Sequence, residues 1–162
     1  MDEIQRNKEL CEKYFFLVST NRWTGKVVDD YDYSYTELDA MPEGWRFAFG
    51  EKICEEIMQE LNKIENKKVR FSYRIVQIKE KFGYLRWYTN WSTIGLDNII
   101  RKYEQISERT CIKCGAAATK ISLGWISPWC DECAKEVIKC DNLINIEDYF
   151  NEEDKDDEET SI

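Results

Sequence analysis

Two Cys-x-x-Cys pairs, Cys111/Cys114 and Cys130/Cys133, stand fifteen residues apart in "TCIKCGAAATKISLGWISPWCDEC", residues 110–133. Each pair makes a tight turn that aims two thiolates at one point, and two such turns supply the tetrahedron that zinc prefers. The spacing lies within the range of four-cysteine structural sites. Gly115 lets the backbone turn back after the first pair, Gly124 bends a short hairpin in "TKISLGW", and "DECAKEVIKC" reads as helix. Residues 109–140 are therefore expected to form a treble-clef-like module around zinc. Four thiolates fill every coordination position, so the expected metal is structural, not catalytic.

The other chemistry on offer is thin. The chain holds no His, which removes the commonest general base. "CEE" at 54–56 followed by "PWCDEC" is similar to the three-thiolate, Glu-assisted zinc of nucleobase deaminases, but Trp129 separates Pro128 from the Cys pair, and Cys111 and Cys114 would be left unused. Carboxylate pairs such as Asp29/Asp30 and Glu55/Glu56, and the E-x-K spacing of Glu65 to Lys67, arise readily in a chain with 34% charged residues. No enzyme is expected. Seven cysteines, an odd number with two close pairs, suit a reducing compartment better than a disulfide framework. Cys11 and Cys54 lie in apolar stripes and read as core thiols; Cys140 reads as a core thiol or a spare ligand.

Ahead of the module the chain reads as an α+β domain over 1–108, amphipathic helices packed on a small antiparallel sheet. Hydrophobic residues make up 43% and aromatics 14%, enough for a core. Residues 2–18 predict a helix. Residues 21–46 fit short strands or an irregular loop. In "FGEKICEEIMQELNKIEN", Phe49, Ile53, Ile57, Leu61 and Ile64 form one helical stripe. Alternation in "VRFSYRIVQIKEKFGYLRWYTNW" predicts strands over 69–78 and 84–91, with Gly83 in the turn and a bulge near 75–76. A helix over 96–108 follows. Residues 151–162, with seven acids and one Lys, predict a disordered tail.

Charge is unevenly placed. Net charge is −9, yet residues 67–86 hold seven basic residues against one acid, so the rest carries −15. Alternation would set Arg70, Arg74 and Arg86 with Tyr84 and Tyr88 on one hairpin face, a basic, stackable surface of the kind single strands favour. Tyr31, Tyr33 and Tyr35 in "DDYDYSY" form a second candidate surface, suited to a protein partner. No stretch is apolar enough to span a membrane and the first residues are charged helix material, so an intracellular protein without membrane contact is expected.

From 44 to 135 the chain resembles a group of small uncharacterised bacterial and phage proteins. The matching positions are Gly44-Trp45, the hairpin Lys79 to Tyr88 in "IVQIKEKFGYLRWYT", Ser107, Thr110-Cys111, Cys114-Gly115, Gly124-Trp125, Cys130 and Cys133. The group's last ligand is often His, where this chain has Cys133. The resemblance implies a cytoplasmic setting in a bacterial host and brings no known activity. The expected function is a non-catalytic, zinc-stabilised adaptor or inhibitor that binds another protein; the alternative is nucleic-acid binding through the hairpin of residues 67–88.

Overall fold

The apolar stripe of residues 49–61 becomes the central helix, against which most of the core is laid. In this computed structural model, residues 2–137 and 142–159 are described, the last seven by backbone alone. α1 (Glu3–Lys13) runs into a tight helical turn, Phe15–Leu17. A largely irregular stretch follows, relieved by a turn at Glu37–Ala40 that Thr36 and Asp39 cap reciprocally. α2 (Glu43–Trp45) passes through one wide π-type turn, Arg46–Gly50, into α3 (Glu51–Leu61). Trp45, Phe49, Ile53, Cys54, Ile57 and Leu61 are buried along this run, as the stripe requires.

β1 (Ile75–Lys81) and β2 (Tyr84–Thr89) form an antiparallel hairpin. Lys81 pairs with Tyr84, so Phe82 and Gly83 alone make the turn, with φ of 51° and 82°. Positive φ at both positions is what a two-residue hairpin turn with the strands' own twist demands. The expected bulge is present as a register shift between Ile75 and Gln77. Ile78, Leu85 and Trp87 face inward onto α5 (Ile94–Glu108), whose Leu96, Ile100 and Tyr103 complete the core. Thr93 caps this helix, its Oγ1 accepting from the Leu96 N–H at 3.2 Å.

The first strand begins later than alternation predicts. Asn66 Oδ1 accepts from the Val69 N–H at 3.2 Å and opens a short helix, α4 (Lys67–Arg70). Val69 and Phe71 are consequently exposed, while Tyr73 and Ile75 reach the core. Residues 72–74 are held instead by Asn90, which donates to the Ser72 carbonyl at 2.8 Å and accepts from the Arg74 N–H at 3.0 Å.

The C-terminal part has a second antiparallel sheet. β3 (Lys120–Ser122) and β4 (Ser127–Trp129) make the hairpin expected around Gly124, and β5 (Leu143–Asn145), not foreseen, pairs with the other edge of β3. The module thus takes in residues beyond 140. Its helix, α6 (Asp131–Ala134), is a single turn; Cys140 lies outside the described residues. α7 (Ile146–Glu159) corrects the reading of residues 151–159 as a disordered tail. Asn145 Oδ1 accepts from the Glu147 N–H at 2.9 Å, and Glu147 and Asp148 sit in the first turn, where acids favour a helix. Residues 160–162 lie outside the described residues.

Candidate metal centre

The knuckle that carries Cys111 and Cys114 is closed by main-chain bonds. The Cys111 N–H donates to the Ala116 carbonyl at 2.7 Å and the Gly115 N–H to the Cys111 carbonyl at 3.0 Å, with Gly115 at φ 81°. The second pair lies where β4 ends and α6 begins. Cys130 caps α6, its Sγ accepting from the Cys133 N–H at 3.4 Å. The two hairpins lock together where the Ile112 N–H donates to the Pro128 carbonyl at 3.0 Å.

All four Sγ atoms lie within 4.8 Å of one another, and those of Cys114 and Cys130 are 3.6 Å apart. A tetrahedral four-thiolate zinc with bonds of about 2.3 Å has sulfur–sulfur edges of about 3.8 Å, so the arrangement fits a single metal ion. Cys111 forms the buried floor of the site and Cys114 stands exposed at its mouth. Burial pushes the Cys111 thiol up, but backbone N–H groups of Cys114, Cys130 and Lys113 outweigh it and bring the group to about 7. Cys133 is pushed up to about 12, by desolvation and by hydrogen bonding with Cys130, Cys114 and Cys111. Packed thiolates hold back one another's ionisation, and a divalent cation at their centre is what compensates four of them at once.

The site is seated on α2 by one main-chain bond and one from the Trp45 side chain. The Gly44 N–H donates to the Ile112 carbonyl at 3.0 Å, and buried Trp45 donates from Nε1 to the Thr110 carbonyl at 2.9 Å. A Cβ on Gly44 would come within 2.4 Å of the Cys111 carbonyl oxygen, and one on Gly115 within 2.5 Å of the Gly44 carbonyl oxygen. Two glycines therefore let the knuckle and the helix start touch main chain to main chain. Ser107 makes the other tie, its Oγ accepting from the Leu85 N–H at 2.8 Å and joining α5 to the first hairpin.

The candidate binding residues are distributed differently from the sequence reading. Arg86 stacks on Tyr84, its Cζ 4.0 Å from the ring centroid, and Lys79 lies over Tyr88 at 5.4 Å, so these groups do share the solvent face of the hairpin. Arg70 and Arg74 do not join them. Arg70 sits on α4 and donates from Nε to the Ile64 carbonyl at 3.0 Å; Arg74 precedes the bulge and lies against Gly25. The capped turn at Asn66 breaks the alternation that would have aligned them. Tyr31 and Tyr33 are half-buried, edge to face at 4.8 Å, and packed on the core. Tyr31 donates to the Tyr35 carbonyl and lies 3.6 Å from Cys11 Sγ, while the Tyr33 carbonyl accepts from buried Asn7 at 2.9 Å. Only Tyr35 keeps substantial exposure. Cys11 and Cys54 are buried thiols with raised pKa, chiefly by desolvation.

Sequence reading missed the most exposed aromatics. Trp23, Phe47, Phe82 and Trp125 present between 68% and 95% of their surface. Each stands on a turn or helix bend whose conformation comes from tertiary structure, so periodicity carries no signal for it. Comparison of the chain with family models, with curated proteins and with solved structures returned no match. Among the described residues no helix is long and apolar enough to cross a membrane.

Proposed function

We propose that the chain is a non-catalytic protein-binding module, an adaptor or inhibitor of the bacterial cytoplasm, stabilised by one structural zinc ion at Cys111, Cys114, Cys130 and Cys133. The observation that carries this reading is the way the cysteine site is closed. Four thiols converge with none of the open positions a catalytic zinc needs, and the knuckle is built into the fold through Gly44 and Trp45. The ion's role is then mechanical: it fixes β3 and β4, whose connecting loop holds exposed Trp125 opposite exposed Phe82 across a cleft of about 290 Å³. Exposed aromatics on rigid supports are the residues that dominate protein interfaces. With no His in the chain, a hydrolytic or transfer reaction lacks its usual base.

One observation favours nucleic-acid binding as a second reading: Lys79, Lys81 and Arg86 share a hairpin face with Tyr84 and Tyr88. Against it, Arg70 and Arg74 lie elsewhere, and Arg86 and Lys79 cover the very rings on which bases would stack. Affinity capture from the native host, with and without nuclease, separates the two. The protein-binding reading expects a partner that survives nuclease and survives Lys79→Glu with Arg86→Glu. Loss of all partners on nuclease treatment, with micromolar binding of single-stranded oligonucleotides that the double reversal abolishes, overturns it.

A further inference from the structure

We propose that the cleft between the turn of residues 20–27 and residues 71–74 docks an acidic segment of a partner protein, one apolar side chain entering the cleft and carboxylates meeting the cations beside it. This names a site and a ligand class for the protein-binding reading above and rests on it. The cleft, about 430 Å³, is lined by Phe15, Val18, Val27, Phe71 and Arg74. That volume suits one or two side chains.

Its walls are pre-organised. Thr20 bridges to Val27, the Asn21 N–H donates to the Lys26 carbonyl at 2.8 Å, and Asn21 Oδ1 accepts from the N–H groups of Trp23 and Thr24 at 2.9 and 3.0 Å. This turn also carries Trp23, 95% exposed and next in sequence to Thr24 of the cleft wall. Opposite, Phe71 packs edge-on to Phe15 at 5.0 Å while more than half of it remains open to solvent. A rigid site loses little entropy on binding.

Charge complementarity selects the occupant. Arg74 lines the wall, and its guanidinium lies so close over Gly25 that an added Cβ there would come within 2.9 Å of Cζ. Lys26 adjoins Val27, and Lys67 and Lys68 open the helical turn that delivers Phe71; all three are exposed. Among the described residues none of these four cations takes part in a salt bridge, although acids outnumber bases by nine over the whole chain. The acids adjacent in sequence, Asp29, Asp30 and Glu65, are likewise in no salt bridge. An acidic ligand is repelled by most of this molecule and attracted here, which steers it to the cleft. The lining favours a peptide over the other polyanions. Val18, Val27 and an edge-packed Phe71 form a socket for a side chain, whereas bases need open ring faces in series.

The test is selection of peptides from a random display library on the full-length, metal-loaded chain, followed by titration of the enriched peptides. The expected result is acids flanking an aliphatic or aromatic residue, affinity that falls with salt, and weakening of about tenfold or more on Arg74→Glu, as for loss of one charge-paired contact in an interface. The pair Lys67→Glu and Lys68→Glu, exposed and remote from the core, should weaken binding similarly, which guards against misfolding as the cause. Ile94→Ala, exposed at the start of α5 and outside both clefts, should leave it unchanged. Enriched peptides without acids, or peptides sensitive to Phe82→Ala and indifferent to the charge reversals, overturn the cleft assignment and leave the protein-binding reading standing. If no peptide is enriched, the inference fails. If, in addition, oligothymidylate or phosphatidylserine vesicles bind in an Arg74-dependent way, the protein-binding reading fails with it.

Discussion

Gly44 and Gly115 face each other across the seam between the helical domain and the cysteine module, and each excludes even a methyl group from the other's backbone. Gly44→Ala is expected to force the knuckle off α2, breaking the bonds to Ile112 and Thr110 together. The cost should be about 2–4 kcal/mol, in the range of mutations that disrupt buried main-chain packing, with faster metal loss to a chelator. Urea unfolding of the two proteins at matched metal content measures it. Gly83 is constrained twice, by φ 82° and by Ile126, whose side chain would meet an added Cβ at 3.1 Å. Gly83→Val should therefore cost more than about 1 kcal/mol; an unchanged melting temperature would contradict the turn geometry described above. Both glycines stand out in the sequence, beside Trp45 and between Phe82 and Tyr84, but what Gly44 touches was not legible there, because the contact spans residues 44 and 111.

α3 and α5 are joined at their solvent edge by Glu56, whose carboxylate accepts from Tyr103 Oη at 2.8 Å and pairs with Lys102. Desolvation raises the Glu56 pKa, and the hydrogen bonds from Lys102 and Tyr103 outweigh it, leaving the group below its ordinary value. A depressed carboxylate contributes stability that is present above its unfolded pKa and is lost as pH falls through the folded one. The melting-temperature gap between the natural chain and Glu56→Gln should thus be open at neutral pH and close in the acid carboxylate range. Its size should not exceed about 1 kcal/mol for a pair this exposed. These helices were legible from their stripes alone. The strand over 69–78 was not, since its alternation is real in "VRFSYR" but a capped turn at Asn66 competes locally and wins. β5 was hidden for another reason: three residues, Leu143–Asn145, carry too little pattern to be distinguished from loop. In α7 the acidic composition masked a helix whose start is fixed by Asn145 and by buried Ile146.

For the molecule as a whole, the metal should be linked to the stability of the C-terminal sheet, while the main core, built from residues between Cys11 and Tyr103, stands without it. The natural chain is expected to bind about one zinc per molecule, and Cys111→Ser with Cys130→Ser to abolish retention and to destabilise the C-terminal sheet. Metal analysis by mass spectrometry with circular dichroism checks both. The clustering of the four cysteines was the most legible feature of the sequence, because a tetrahedron needs only local spacing; the surfaces were the least, because exposure is decided by what packs around a residue. The uneven burial of the four cysteines also bears on the kinetics of the proposed metal. Cys111 is fully enclosed while Cys114, three residues on, opens to solvent. An ion seated between them would have a door on one side and a wall on the other, so a small chelator should strip it thiolate by thiolate from the Cys114 side while the protein stays folded. Exchange followed by a colorimetric chelator should therefore proceed at a rate that does not rise with sub-denaturing urea, and the chain should be able to surrender its metal to a stronger thiol buffer without passing through the unfolded state.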